Sequence, residues 1–229
     1  MIIISGSNTD RFKTYVNHKN YADYRGYDYK YFTDIDYEQG LMTNPAYTKV
    51  YAVLKALESH NEVMWIDDDA FFINFEWDCK SVFTLTNKPF IASQSHSIKR
   101  NTPALNSGVM FFRRNKHIKR MLQLIPNISD EEKTSVWQKS WGSSGGNDQP
   151  RFIYLSQTKF KDVCHIIPYA ENRWNTRPRH ALKSTQHIVH FAGDKKQAKI
   201  DHFQETANIS LYSKCIISPV EGQYIEGEV

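Results

Sequence analysis

Runs of apolar residues alternate with amphipathic stretches along the chain, and this pattern predicts alternating strands and helices. Strands are predicted at residues 2 to 4, 27 to 32, 63 to 66, 90 to 92, 109 to 112, 163 to 167 and 188 to 191. The clearest helix follows Pro45, because four aliphatic residues recur there at i, i+3, i+4 and i+7. They are Val50, Val53, Leu54 and Leu57. Further helices are predicted at residues 10 to 24, 115 to 125 and from Gln149 to about 156.

This order of elements predicts an α/β fold in which helices flank a mainly parallel central sheet. Ligands of such folds gather at the carboxyl ends of the strands. The loop from Ser5 to Asn8 is predicted at the end of the first strand, and three aspartates follow the third. The periodicity is weakest after Thr206, so we expect one domain over residues 1 to 205 and a tail or lid over residues 206 to 229.

Composition favours a folded domain with a substantial core, since 40% of the 229 residues are hydrophobic. The net charge is only +4, and the basic residues are scattered in short groups without interleaved aromatic residues. This pattern disfavours nucleic-acid binding.

Cysteine usage and hydropathy indicate an intracellular setting. Cys79, Cys164 and Cys215 are an odd number at wide spacings, which suits neither a disulfide framework nor a zinc site, so we expect reduced thiols. No run reaches 18 apolar residues, and we expect no membrane span. The expected location is the cytoplasm, or the host cytoplasm for a viral protein, unless the chain is a piece of a membrane-anchored enzyme.

Asp67, Asp68 and Asp69 stand in the most hydrophobic stretch of the chain, at the end of a predicted strand. Side chains alternate along a strand, so Asp67 and Asp69 should point one way and Asp68 the other. Two converging carboxylates indicate a hard divalent cation, Mn²⁺ or Mg²⁺, which would offset their repulsion. A solvated acidic turn is the alternative. Asp34-Ile35-Asp36 has the same spacing and is interpreted as a plain surface loop.

Three further polar stretches each allow a structural or a functional interpretation. His190 lies in a predicted strand before Gly193 and Lys195, and it is either a buried core histidine or a metal ligand beside a phosphate-binding lysine. Asn106-Ser107-Gly108 is interpreted as a polar turn that opens a strand. Asn147-Asp148-Gln149 is either a helix N-cap or the polar part of a site closed by the preceding Gly/Ser-rich loop.

The motif W-x-D-x-D-A at residues 65 to 70 resembles the metal signature of GT-A glycosyltransferases, in particular family 34, the fungal α-galactosyltransferases and plant xyloglucan xylosyltransferases. Other segments that resemble this family follow in the same order. They are residues 2 to 8, 21 to 28, 45 to 49, 106 to 115, 148 to 149 and 190 to 195. The resemblance implies a Rossmann-like GT-A fold and the transfer of a hexose, deoxyhexose or pentose from a nucleotide-sugar, usually a UDP-sugar, to a glycan or glycoprotein.

The resemblance also implies roles for individual residues. Asp69 and His190 would bind the metal that bridges the donor diphosphate, and Asp67 would contact the metal or the ribose. The other implied contacts are Ser5, Gly6, Ser7 and Asn8 at the nucleotide, Asp68 and Asn106 at the donor sugar, Lys195 at the diphosphate, and Asp148 and Gln149 near the anomeric carbon. If the reaction inverts configuration, Asp148 would be the general base. If it retains configuration, Asp148 or Gln149 would stabilise the positive face of the sugar.

Some features depart from the family. Asp194 and Lys196 stand where cysteine is common, and Asn147 replaces an acidic residue. Unless the chain is a piece of a longer enzyme, we expect no anchor or stem, and in this the chain resembles compact bacterial or chlorella-virus enzymes. Two other functions also fit clustered aspartates: a metal-dependent phosphoesterase or nucleotidyltransferase, and a non-catalytic carbohydrate-binding protein. Trp137, Trp141 and Trp174 are candidates for stacking against a glycan.

Overall fold

Eight strands and seven helices are labelled in the computed structural model, which describes residues 1 to 7, 12 to 33, 47 to 94, 104 to 145, 148 to 182 and 185 to 214. The strands are β1 (Ile2–Ser7), β2 (Asp28–Thr33), β3 (Glu62–Ile66), β4 (Ala70–Phe72), β5 (Phe90–Ser93), β6 (Asn106–Arg113), β7 (Cys164–Ile167) and β8 (Ile188–His190). The helices are α1 (Thr14–Arg25), α2 (Thr48–Ser59), α3 (Lys116–Leu124), α4 (Asp130–Ser135), α5 (Gln149–Gln157), α6 (Pro178–Ala181) and α7 (Lys196–Ala207).

The central sheet has six strands in the order β2-β1-β3-β6-β5-β7. β1 pairs in parallel with β2 and β3, and β5 pairs in parallel with β7. β6 runs antiparallel to its neighbours β3 and β5. The predicted α/β fold with a mainly parallel sheet is therefore confirmed, and β6 is the reversed strand. Because β6 is reversed, its amino end lies at the same edge as the carboxyl ends of β1 and β3.

Two apolar layers cover the faces of the sheet, and alternation along the strands decides which residue enters which layer. Val63 and Trp65 face the layer that contains α2, α3 and α5. Met64 and Ile66 face the opposite layer, which contains α1 and β4. The continuous apolar run of β3 follows from this burial on both faces. It also directs the next odd-numbered residue, Asp67, toward α2.

The strand predicted at residues 188 to 191 is present as β8, but it does not join the central sheet. It pairs antiparallel with β4, with His190 opposite Ala70. Phe71 and Val189 pack with Ile200 and Phe203 of α7 in a third apolar cluster. This separate cluster covers the strand pair and explains why it forms its own small sheet.

Two predicted loops are parts of strands. β1 continues to Ser7, since its parallel ladder with β2 extends to the pair Ser7 and Thr33. The Ser5 side chain is buried there and hydrogen-bonds Tyr29 and His18, so polar residues are accommodated in the strand. Residues 106 to 108 were predicted as a turn, but they form the first residues of β6.

The four predicted helices correspond to α1, α2, α3 and α5, whereas α4, α6 and α7 were not predicted. α1 ends before Gly26, whose left-handed backbone (φ 70°) is the conformation that glycine adopts readily. The expected domain boundary near residue 205 falls within α7. Leu211, beyond α7, is buried, and its carbonyl accepts a hydrogen bond from the Asn17 amide.

Several predicted features lie outside the described residues. They are Asn8, Asp10, the loop from Asp34 to Asp36, Pro45, Asn147, Cys215 and most of the segment expected to form a tail or lid. Cys79 and Cys164 are buried free thiols. In the described ranges, none of the helices is long and apolar enough to cross a bilayer.

Candidate active site

The candidate site lies where β1 and β3 end and β6 begins. The Asp67 N–H donates to the Gly108 carbonyl (2.8 Å), so the first residue after β3 is still held against β6. The Phe191 N–H donates to the Asp69 carbonyl (2.9 Å), which brings the end of β8 to the same place. Backbone pairing alone therefore places the aspartates beside His190, from which they are far separated in sequence.

Three candidate metal ligands come together here. One ligand atom each of Asp67, Asp69 and His190 lies within 4.8 Å of the others. Asp69 and His190 are buried, and Nε2 of His190 is 3.1 Å from Oδ1 of Asp69. Two carboxylates and an imidazole form a donor set that suits Mn²⁺. The structure thus brings together all three residues that the sequence assigned to the metal.

Asp69 also contacts a lysine. Nζ of Lys196, at the start of α7, is 2.5 Å from Oδ2 of Asp69, and the lysine side chain is 26% exposed. Burial opposes ionisation of Asp69, but His190 and Lys196 outweigh it and hold the pKa of this carboxyl below its ordinary value. Asp69 is therefore ionised and available as a ligand at neutral pH.

Gly108 is necessary for the position of the histidine ring. A Cβ atom at residue 108 would lie 2.2 Å from Cε1 and 2.6 Å from Nδ1 of His190. No side chain larger than hydrogen fits without displacing the ring. Glycine in the middle of a strand often marks such a close approach.

Lys49, in the first turn of α2, connects the metal cluster to the second acidic group of the site. Its buried Nζ lies 3.0 Å from Oδ1 of Asp67 and 2.9 Å from Oδ2 of Asp148. It also donates to the Ser107 carbonyl (3.2 Å). Burial would lower the pKa of Lys49, but the two carboxylates raise it above its ordinary value. The lysine is a permanent cation between them.

Asp67 is held by two donors. The indole N–H of Trp65 donates to its Oδ1 (2.6 Å), and Lys49 contacts the same oxygen. The side chains of residues 65 and 67 share one face of the strand, which gives a physical reason for the tryptophan in the W-x-D motif. Burial raises the pKa of Asp67, Lys49 opposes the rise, and the charge of Asp69 adds to it.

Asp148 and Gln149 contact the amino end of β6 from the start of α5. The Ser107 hydroxyl donates to Asp148 Oδ2 (2.9 Å), and the Ser107 N–H donates to Gln149 Oε1 (3.2 Å). Asp148 occupies the N-cap position of α5, but its side chain makes no capping hydrogen bond to the helix. Burial alone would raise the pKa of Asp148, but Lys49 and the Ser107 hydroxyl hold it below its ordinary value.

Asp68 points away from the metal cluster, as the alternation predicts. Its Oδ2 accepts a hydrogen bond from the Ser7 hydroxyl (2.6 Å), and its carbonyl accepts one from Thr14 (3.1 Å). Ser7 and Asp68 therefore link the ends of β1 and β3. Gly6 lies in β1, where a Cβ atom would be 2.6 Å from the Phe32 carbonyl oxygen, so this glycine serves the close packing of two strands.

Asn106 and Lys195 have contrasting positions. Asn106 is buried behind His190, and its Oδ1 accepts the Gly108 N–H (2.8 Å). Lys195 is exposed and has a left-handed backbone (φ 54°) just before α7. Its neighbour Lys196, rather than Lys195, contacts Asp69.

Sequence reasoning gave no role to Lys49, Ser107 or Asn175. Lys49 belongs to the segment 45 to 49 that resembles the family. A lysine on the apolar face of α2, next to Val50 and Val53, could have indicated a buried charge with a functional partner. Asn175 had no local signal, since its contact with His190 depends on tertiary packing. Trp141 and Trp174 are buried, so neither presents an open ring to a glycan.

The comparisons with known proteins concern structure only, since no protein-family model and no curated protein sequence matches this chain. A glycosyltransferase involved in glycosylation of the major capsid of PBCV-1 has a TM-score of 0.63 at 16% identity, over 89% of this chain and 98% of that one. The glycosyltransferase GlyE of Streptococcus pneumoniae TIGR4 has a TM-score of 0.48 at 12% identity, over 92% of this chain and 60% of that one.

At 16% identity, the likeness to the PBCV-1 protein shows the fold alone. The chain has the Rossmann-like GT-A fold, as predicted, with its candidate site at the edge where the strands of such folds bind ligands. Membership of family 34 stays a prediction.

Proposed function

We propose that the protein is a metal-dependent glycosyltransferase that moves a hexose, deoxyhexose or pentose from a UDP-sugar to a glycan or glycoprotein. The observation that carries the proposal is the convergence of Asp67, Asp69 and His190 at the carboxyl end of β3. The GT-A fold supports the same conclusion. The choice of UDP and the class of acceptor rest on the family resemblance of the motifs.

The residues present fit a divalent cation. Asp69 is held ionised at neutral pH, and the ring nitrogen of His190 and a carboxylate of Asp67 lie close to it. When bound, Mn²⁺ or Mg²⁺ would neutralise the charge that grows on the departing diphosphate. Lys196, already at Asp69, and Lys195, exposed beside it, are the candidate lysines for the phosphate oxygens.

The environment of Asp148 favours one of the two alternatives for its role. A general base works best when its pKa is near the operating pH, and Lys49 holds the pKa of Asp148 below its ordinary value. A carboxylate that stays ionised is better suited to stabilise positive charge on the sugar. We therefore propose that Asp148 acts electrostatically, with Gln149 oriented beside it through Ser107.

The function is tested by thermal unfolding with UDP, with Mn²⁺ and with both. A ligand that binds only the folded state at a hundredfold excess over its Kd stabilises it by about 2.7 kcal/mol, or roughly 5–10 °C for a chain of this size. We expect the full shift only with both components. Asp69→Ala should abolish it, whereas Asp162→Ala, which removes an exposed aspartate, should not.

Hydrolysis of a panel of UDP-sugars, followed as UDP release, then separates catalysis from binding. Mn²⁺-dependent hydrolysis of one or a few donors is the expected result. Stabilisation by glycans without any nucleotide effect would instead indicate a carbohydrate-binding protein. Cleavage of the donor to UMP and sugar 1-phosphate would indicate a phosphoesterase, and release of pyrophosphate from UTP with a sugar 1-phosphate would indicate a nucleotidyltransferase. Either result would refute the proposal.

A further inference from the structure

A chain of hydrogen bonds runs from the backbone of β6 to the metal-facing histidine. The Gly108 N–H donates to Oδ1 of Asn106 (2.8 Å). The same oxygen lies 2.8 Å from Nδ2 of Asn175, and Oδ1 of Asn175 lies 2.8 Å from Nδ1 of His190. The side chains of Asn106, Asn175 and His190 are all buried, so hydrogen bonds within the protein satisfy their polar atoms.

The direction of every bond in this chain follows from its first member. A backbone N–H can only donate, so the atom of Asn106 that faces Gly108 is the oxygen. An oxygen can only accept, so Asn175 turns its NH₂ group toward Asn106 and its oxygen toward His190. Nδ1 of His190 must therefore carry a proton. In a neutral imidazole the other nitrogen, Nε2, then has the free lone pair.

That lone pair faces Oδ1 of Asp69 at 3.1 Å. Two acceptors at this distance repel each other unless a cation or a proton lies between them. We propose that Asn175 is a positioning residue, which keeps the ring proton of His190 on Nδ1 and so makes Nε2 a metal ligand. The inference deepens the proposed function and rests on it for the metal, while the position of the proton can be tested without any metal.

Asn175 is itself held rigidly enough for this role. The Asn172 side chain accepts the Asn175 N–H (3.1 Å) and donates to the Asn175 carbonyl (2.9 Å), so one amide fixes both backbone groups. The next residue, Thr176, accepts the backbone N–H of His190 (2.8 Å). The turn that carries Asn175 is thus joined to the strand that carries His190 directly beside the contact.

The first test is nitrogen NMR of the metal-free protein with labelled histidine. The His190 signals are assigned with His190→Gln, and the pH is raised until the ring is neutral. We expect the proton on Nδ1 and the unprotonated signal at Nε2. A neutral ring with its proton on Nε2 would overturn the proposal, and this measurement needs no variant of Asn175.

The second test compares Asn175→Leu with Asn175→Asp. In the leucine variant Asp69 is the remaining acceptor beside the ring, so the proton should move to Nε2 and Mn²⁺ affinity, measured by calorimetry, should fall about 10–100-fold. The aspartate variant keeps an oxygen at Nδ1 and should retain the wild-type tautomer and bind Mn²⁺ far more tightly than the leucine variant. A folded leucine variant with wild-type tautomer and affinity would refute the role of Asn175.

The two tests separate this inference from the proposed function. If wild-type protein does not bind Mn²⁺, the metal-dependent function fails, while the NMR result still decides the position of the proton. If Mn²⁺ binds but the metal-free ring carries its proton on Nε2, the function stands and the role of Asn175 is wrong.

Discussion

Two charged clusters meet at Asp67, and they compensate their carboxylates in different ways. The lysine cluster consists of Lys49 and Asp148 with the Ser107 hydroxyl, and the histidine cluster consists of Asp69, His190 and Lys196. In the lysine cluster the cation is nearly enclosed, with 11% of the Lys49 side chain exposed. In the histidine cluster the ammonium belongs to Lys196, whose side chain is 26% exposed.

This difference indicates that the two clusters have different roles. The lysine cluster contains its own cation, has neutralised much of its charge, and is built into the packing of α2 against β3 and β6. The histidine cluster presents an ionised carboxylate and an imidazole nitrogen toward the same point, and its lysine approaches from the rim of the site. We infer that Lys49 is a structural support, which holds Asp67 and Asp148 in place, and that in the histidine cluster one cation replaces another when ligands bind.

The largest expected effect, and the most direct test of the difference between the two clusters, comes from Lys49→Met. The substitution leaves Asp67 and Asp148 without their cation in a buried place, and breaking such a pair costs about 3–5 kcal/mol. The free energy of unfolding in urea should fall by that amount. Lys55→Met is the matched control, since Lys55 lies on the same helix in an exposed pair with Glu58 and its loss should change stability far less. Equal losses in the two variants would show that Lys49 has no special structural role.

A pH experiment tests the contribution of His18, which supports the backbone beside the histidine cluster. His18 is buried, and Nε2 of its ring contacts the Ala70 carbonyl (2.7 Å) next to Asp69. Burial lowers its pKa to about 4. Between the unfolded pKa of about 6.5 and this value the unfolded chain binds the extra proton, so stability is lost as pH falls, by roughly 3 kcal/mol in full. Urea unfolding at pH 7 and pH 5 should show about 2 kcal/mol of this loss, because pH 5 lies roughly 1.5 units below the unfolded pKa.

The control for this pH effect is a pair of glutamine variants. His18→Gln should unfold with a weaker dependence on pH than the wild type, whereas His202→Gln, which replaces an exposed residue, should keep the wild-type dependence. If all three proteins lose stability equally between pH 7 and pH 5, His18 is not the group responsible.

The smallest expected effect on stability comes from Gly108→Ala. The new methyl group would overlap the His190 ring, and overpacking of this kind costs about 1–3 kcal/mol. The displaced ring should also weaken Mn²⁺ binding, as measured by calorimetry, while the lysine cluster stays intact. Gly145→Ala is the control, because its Cβ would meet only Ser143 at an ordinary 3.5 Å. Unchanged Mn²⁺ affinity in Gly108→Ala would contradict the assignment of His190 as a ligand.

Most of the sheet could be predicted from the sequence because strand identity is a local property. Ile2 to Ile4 and Val63 to Ile66 are apolar runs buried on both faces, and their pattern needs no tertiary information. The reversal of β6 and the separation of β8 from the sheet were not predictable, since the period of a strand is the same in either direction and in any sheet. Polar strand ends such as residues 5 to 7 and 106 to 108 were mistaken for loops because their side chains are satisfied only by distant partners.

The sequence by itself determined which residue types stand at strand ends, and these included the aspartates from 67 to 69 and the histidine at 190. Only the tertiary structure decided that Lys49 lies between Asp67 and Asp148, that Lys196 rather than Lys195 reaches Asp69, and that Asn175 contacts the histidine ring. The physical reason is the range of the forces involved. Apolar periodicity acts between near neighbours along the chain, whereas charge pairing and hydrogen bonding depend on which elements the packing brings together.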